Sequence, residues 1–200
     1  MHENLTGFLI KHGSTGPTGP TGPTGIAGTG AIIPFASGLP VALTSILGGL
    51  AGLPAFVGFG SSAQGLTALG ASIDITNPAG TLTNFAFEMP RAGTITSFTA
   101  YFSTTLALSL VGSSVTVTAQ IYQSTTPNNV FTPIAGTSLA LSPALTGAIA
   151  VGTILTGSLT GLNIAVPSQA RLMLVYSITS AGLSLVNTVT GYASAGLAIN

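Results

Sequence analysis

Two histidines, three carboxylates and three basic side chains are all the strongly ionisable chemistry in 200 residues. Four of them, His2, Glu3, Lys11 and His12, crowd the N-terminus, and only Asp74, Glu88, Arg91 and Arg171 lie beyond it. Acid–base and nucleophilic catalysis need a base within hydrogen-bond reach of a nucleophile or substrate proton. Serine and threonine abound, but beyond His12 no histidine exists to activate one. Cysteine is absent, which excludes disulfides and thiolate metal sites. No phosphate loop or nucleophile elbow occurs, and Gly58-Phe59-Gly60 does not extend into a dinucleotide fingerprint. The reading is a non-enzyme without cofactor or metal; Asp74 alone is a weak basis for calcium, which gathers several oxygens. Arg171 sits in an otherwise apolar run, and the expectation is a structural ion pair with Glu88 or Asp74.

Charged residues make up 3% of the chain, against about 25% in ordinary soluble domains, and the net charge is zero. With no basic patch, nucleic acid is not an expected partner. Nor is a membrane. The longest uncharged apolar stretch, residues 39–60, is broken by Pro40, Pro54 and several glycines, so it is a poor spanning helix. The start lacks the basic region and long apolar core of a secretory signal. A surface with so few charges has little repulsion to oppose self-association.

The elements that organise such a chain begin with a period of three. Glycine recurs at Gly13, Gly16, Gly19, Gly22, Gly25 and Gly28, and three successive triplets read Gly-Pro-Thr. Only glycine fits the crowded axis of a collagen triple helix, and proline pre-sets its extended backbone. Residues 13–30 are therefore read as a collagen-like stalk, which makes the protein a homotrimer. At about 3.1 Å per residue the stalk spans roughly 55 Å. That is too short to hold three chains together, so residues 31–200 should form a trimerising head. Ahead of the stalk, residues 1–12 carry Leu5, Phe8, Leu9 and Ile10. A lone apolar peptide cannot bury itself, and the reading is a docking peptide covered by another subunit.

The head reads as strands throughout. Residues 32–38 form a first short strand, 43–53 a helical turn or loop, and 56–60, 73–75 and 85–89 further short strands. In residues 94–103, Phe98, Ala100 and Phe102 share a face while Ile95 falls on the other parity, which predicts a bulge near Thr96 and Ser97. Residues 114–123 alternate cleanly, Val115, Val117, Ala119 and Ile121 against Ser114, Thr116, Thr118 and Gln120. Strands are also expected over 131–134, 138–141, 149–155, 159–166 and 188–199. The run Leu172, Met173, Leu174, Val175, Tyr176 is apolar on both parities, so that strand should be covered on both faces, one by the domain core and the other by a neighbouring subunit at the three-fold axis or by the second sheet. Many short strands at this spacing indicate an all-β jelly roll, and with a collagen-like stalk in front the expected fold is a C1q/TNF-like trimeric head.

Several runs then become recognisable. They are Ile33-Pro34-Phe35-Ala36-Ser37-Gly38, Gly58-Phe59-Gly60-Ser61-Ser62, Phe85-Ala86-Phe87 and Pro90-Arg91. Residues 100–105, 123–129 and 185–196 continue the pattern. Together they resemble the C-terminal domain of BclB-type exosporium collagen-like glycoproteins of spore-forming bacteria, over residues 32–199. That resemblance implies a location on the bacterial spore surface, a spore-surface anchor protein as a partner, and O-glycosylation of the stalk at Thr18, Thr21 and Thr24. The stalk is much shorter than is usual in that family. In this the chain is more similar to subunits of thin spore appendages, in which trimers are strung end to end.

Three functions compete on the sequence. One is a structural subunit of a spore-surface fibre, its trimers stacked head-to-tail through the N-terminal peptide. Another is a single-tier exosporium glycoprotein anchored by its N-terminus. The third is a C1q- or lectin-like ligand-binding head, which the scarcity of charged side chains in the head disfavours.

Overall fold

The computed structural model describes Gly19 and residues 30–76, 84–126 and 128–200. The docking peptide, with Leu5, Phe8, Leu9 and Ile10, lies outside the described residues. So do five of the six stalk glycines and the three stalk threonines. Gly19 has nothing within 4 Å of where a Cβ would stand.

Fourteen strands and no helix make up the described residues. In chain order they are β1 (Ala31–Ala36), β2 (Val41–Thr44), β3 (Ala55–Val57), β4 (Ser62–Gln64), β5 (Ile73–Asp74), β6 (Phe87–Glu88) and β7 (Gly93–Thr104). Then come β8 (Leu108–Ser124), β9 (Val130–Pro133), β10 (Leu139–Ala140), β11 (Leu145–Ile149), β12 (Ile154–Val166), β13 (Arg171–Gly182) and β14 (Thr188–Ile199). The first sheet runs β1-β14-β7-β12, with β2 beside β14 next to β1. The second is built on the long β13–β8 pair; β3, β4 and β6 extend it beyond β13, while β9, β10, β11 and β5 extend it beyond β8. The result is an all-β two-sheet sandwich of jelly-roll type.

Period-two alternation sets the core. Val115, Val117, Ala119 and Ile121 of β8 are fully buried, as are Leu172, Leu174, Tyr176 and Ile178 of β13. They face Phe98, Phe102, Leu155, Val189 and Leu197 of the first sheet across one apolar interior. The bulge falls where the parity break places it. Ser97 pairs with Ala198 and Ile95 with Ile199, so Thr96 has no partner, and both Ile95 and Phe98 reach the core. Gly191 is required by close approach: a Cβ there would stand 2.3 Å from the Ser103 carbonyl oxygen and 2.5 Å from the Phe102 ring.

Three local expectations are decided by the fold. Of the helical turn or loop expected over residues 43–53, the loop holds after Thr44, where β2 ends and a glycine turn follows, with Gly48 and Gly49 at positive φ. Residues 149–155 are two strand ends and the turn between them, because Gly152 at φ 82° closes a β11–β12 connection there. The third concerns β13. It is covered on both faces, but within one chain. Met173 and Val175 pack in a second cluster with Phe56, Ile73, Tyr122 and Phe131, closed over by Leu69, Ile75, Phe85 and Ala86. Since Leu172, Met173, Leu174, Val175 and Tyr176 are all buried inside the single chain, neither face of β13 is left to meet a three-fold axis.

Candidate functional site

Among the described residues no group of His, Cys, Asp and Glu could hold a metal ion, and no helix is long and apolar enough to cross a membrane. What the fold presents is surface. Its two ends differ sharply in charge.

One end is where the chain enters and leaves. Gly30 lies against Asn200, and the Thr94 and Asn200 backbones exchange hydrogen bonds of 3.0 Å. Arg171 opens β13 here, opposite Glu88 in register. The expected ion pair does not form. The Arg171 guanidinium donates to the Asn128 carbonyl oxygen at 2.6 Å, Asn129 Oδ1 at 3.2 Å and Asn84 Oδ1 at 3.0 Å, and lies 5.1 Å above the Phe131 ring. A half-exposed guanidinium that finds three amide oxygens and an aromatic face needs no carboxylate. The Asp74 carboxylate instead accepts from the Thr76 backbone N–H at 2.8 Å, and Asp74 pairs with Val130 at the same end. Arg91 follows β6 there. All four charged groups of the head thus gather where the stalk joins.

The opposite end is formed by the turns after β2, β7, β11 and β13, and it carries no charge. Leu183 is 86% exposed, Leu47 83% and Val111 76%; Leu50, Leu106 and Val186 are exposed beside them. A buried polar network fixes these turns. Ser45 Oγ donates to the Leu185 carbonyl oxygen at 2.8 Å and lies 2.8 Å from Ser180 Oγ. Its single proton is thereby used, so Ser180 is the donor of that pair. The Asn187 backbone N–H donates to Ser45 Oγ at 2.9 Å, and Asn187 Nδ2 to Ser180 Oγ at 3.0 Å. Ser184 N–H donates to Ser113 Oγ at 2.7 Å. Sequence reasoning missed this arrangement. Its only trace in the sequence is two short apolar runs, 46–50 and 183–186, interrupted by glycine and serine.

The third surface is the outer face of the first sheet. Register aligns Ala36, Ser194, Tyr101 and Thr156 in one row across it, and Pro34, Gly196, Thr99 and Ser158 in the next. Tyr192, Ser103 and Ile154 continue the pattern. No charged side chain stands on this face. A shallow hollow of 310 Å³ lies at its centre between Thr99, Tyr101, Thr156, Ser194 and Gly196.

Behind that face, Tyr176 ties the sheets together. Its hydroxyl crosses the core to donate to the Ser194 carbonyl oxygen at 2.7 Å, with the Tyr101 carbonyl oxygen 3.2 Å away. Burial raises the Tyr176 pKa far above the ordinary phenol value, and raises that of Tyr122 as well. The fold therefore holds these protons more tightly than the unfolded chain does, so stability is full below about pH 10 and falls as pH rises above it. With no histidine past residue 12, urea midpoints should coincide between about pH 5 and 9 and drop at about pH 11.5. A change near neutrality would show that an essential titrating group has been overlooked.

Comparison with known proteins follows from this geometry. The chain is 39% identical over 178 residues to "Collagen-like protein 1" of Acanthamoeba polyphaga mimivirus. It is similar to a collagen-like protein. The match takes in 86% of this chain and 19% of that relative, so the chain spans about a fifth of the longer protein. The relationship supports a collagen-like protein family, in keeping with the triplet glycines. No family model matches. A solved structure of infectious bursal disease virus, Gx strain, aligns over 84% of this chain and 31% of its own at 14% identity and a TM-score of 0.36, a likeness too slight to carry an argument.

Proposed function

We propose that the protein is a non-enzymatic structural subunit that forms homotrimers and stacks them head-to-tail into a fibre on a bacterial spore surface. The observation that carries the reading is the uncharged outer face of the first sheet. The triplet glycines require three chains about one axis, and they lead directly into β1, an edge strand of this sheet. That favours the Tyr101–Ser194 face as the one nearest the axis. Three copies can close there without desolvating any charge. The collagen-like relative favours a structural role.

The location rests on the resemblance to exosporium glycoproteins. It brings with it an anchor protein and sugars on Thr18, Thr21 and Thr24. The fibre rests on the apolar peptide at the far end of a short stalk. Three peptides per trimer would strengthen one joint by multivalency, and a stalk-to-head contact along a shared axis does not close, so it continues as an open filament.

Two experiments test this. Removal of residues 1–30 should leave trimers in light scattering; monomers would sink the trimeric head. Electron microscopy of the full chain should show beaded filaments, and the F8S/L9S/I10S variant should show isolated trimers. Isolated trimers from both would favour the single-tier, N-terminally anchored glycoprotein.

A further inference from the structure

The head has a surface that neither the sandwich nor the proposed trimer face uses. It is the uncharged end opposite the stalk. Contiguous exposed apolar area is unusual on a soluble domain and marks a place where something docks. Here it is also pinned. Leu183 N–H donates to the Gly112 carbonyl oxygen at 3.0 Å and Ser180 N–H to that of Gly49 at 2.9 Å. The turns bearing Leu47 and Leu183 are thereby tied to β13 and to the start of β8, which bears Val111. An apolar group held outward by satisfied buried hydrogen bonds loses little entropy when it is covered. Beside Leu183 runs a shallow groove of 330 Å³ along Gly112, Ser113, Thr146, Gly147 and Gly182. Its three glycines have left-handed φ, 70°, 66° and 102°; Leu183 packs over Gly112 and the Gly112 carbonyl over Gly182, but Gly147 has open space where a side chain would stand, so a guest backbone can come close there.

We infer that this end is the acceptor for residues 5–10 of a second copy, seating Leu5, Phe8, Leu9 and Ile10 against Leu47, Val111 and Leu183. The inference rests on the fibre reading and names its joint. The occupant follows from the chain itself. The apolar tract lies more than twenty residues ahead of β1, which begins at the other end of the head. Carried on an extended stalk, as the fibre reading has it, the tract would lead away from its own acceptor and toward that of the next trimer. The acceptor end holds no charge to desolvate, whereas the stalk end holds all four.

The test is complementation between two full-length variants. L47S/L183S keeps the N-terminal tract and loses the acceptor; F8S/L9S/I10S keeps the acceptor and loses the tract. Each alone should remain trimeric. Mixed, they should form one joint and no more, giving a six-chain particle in light scattering. That pairing also shows both variants to be folded. Wild-type filaments together with undiminished filaments from L47S/L183S would overturn the inference and leave the fibre reading standing. No pairing in the mixture, with wild-type filaments present, would likewise place the joint elsewhere. Six-chain particles from F8S/L9S/I10S alone would mean that acceptor ends meet each other, which also overturns it. Trimers alone from the wild type would remove the fibre reading itself.

Discussion

If the head trimerises through the first sheet as proposed, Ser194→Asp should leave a folded monomer. Ser194 is half-buried on the outer face of the first sheet, between Ala36 and Tyr101 in register, and the single chain leaves room for a carboxylate there. Strand pairing uses its backbone, so circular dichroism and the thermal transition should stay near wild type, within about 1 kcal/mol as for an ordinary surface change. At a three-fold interface the same change would bring three carboxylates together without a cation, and each unpaired buried charge costs several kcal/mol. Light scattering should therefore report one chain instead of three. Met173→Asp is the contrasting variant. Met173 is fully buried under residues 69–75 within its own chain, so that substitution should unfold the head. A trimer that survives Ser194→Asp unchanged would move the interface off this face. A folded monomer from Met173→Asp would restore β13 to the axis.

Loss of the Tyr176 side chain should give the largest drop in stability. The ring is fully buried, lies 6.2 Å from that of Phe102, and carries the hydroxyl that joins the two sheets. Tyr176→Ala should cost about 3–5 kcal/mol, from lost burial and the cavity left behind. For a domain of this size that lowers Tm by about 10 °C. Tyr176→Phe separates the two contributions: it keeps the ring and removes only the hydrogen bond, for about 1 kcal/mol. It should also lessen the stability lost above pH 10, since one of the two raised phenols is gone. An equal loss in both variants would mean that the cross-sheet bond, and not packing, dominates at this position.

How much of this was legible beforehand depends on the range of the interactions involved. Collagen-like periodicity, strand alternation in 114–123 and the bulge at Thr96 are properties of neighbouring residues, and all could be read from spacing. So could the scarcity of histidine, carboxylate and basic side chains, because it follows from which side chains exist at all. The double burial of β13 was readable from its two apolar parities, but what covers it was not. Met173 and Val175 are closed over by residues a hundred positions earlier, and no local pattern carries that pairing. The partner of Arg171 was misjudged for a related reason. Opposite charge suggested Glu88, and the register does place the two side by side. Only the folded loops around Asn84 and Asn128 supply the amide oxygens that the guanidinium takes instead.

The sequence by itself determined an all-β head behind a collagen-like triplet repeat, nearly free of charge and without histidine past residue 12, because composition and short periods encode those properties directly. Tertiary structure decided where the few charges and the exposed apolar side chains lie. Asp74, Glu88 with Arg91, and Arg171 come from three separated segments and meet at the end where the chain enters and leaves. Leu47 and Leu183, from two turns, and Val111, from the start of β8, lie at the other, where Ser45, Ser180 and Asn187 hold the turns. Polarity of that kind arises from antiparallel strands returning their turns to the same two ends, which brings together residues more than a hundred positions apart.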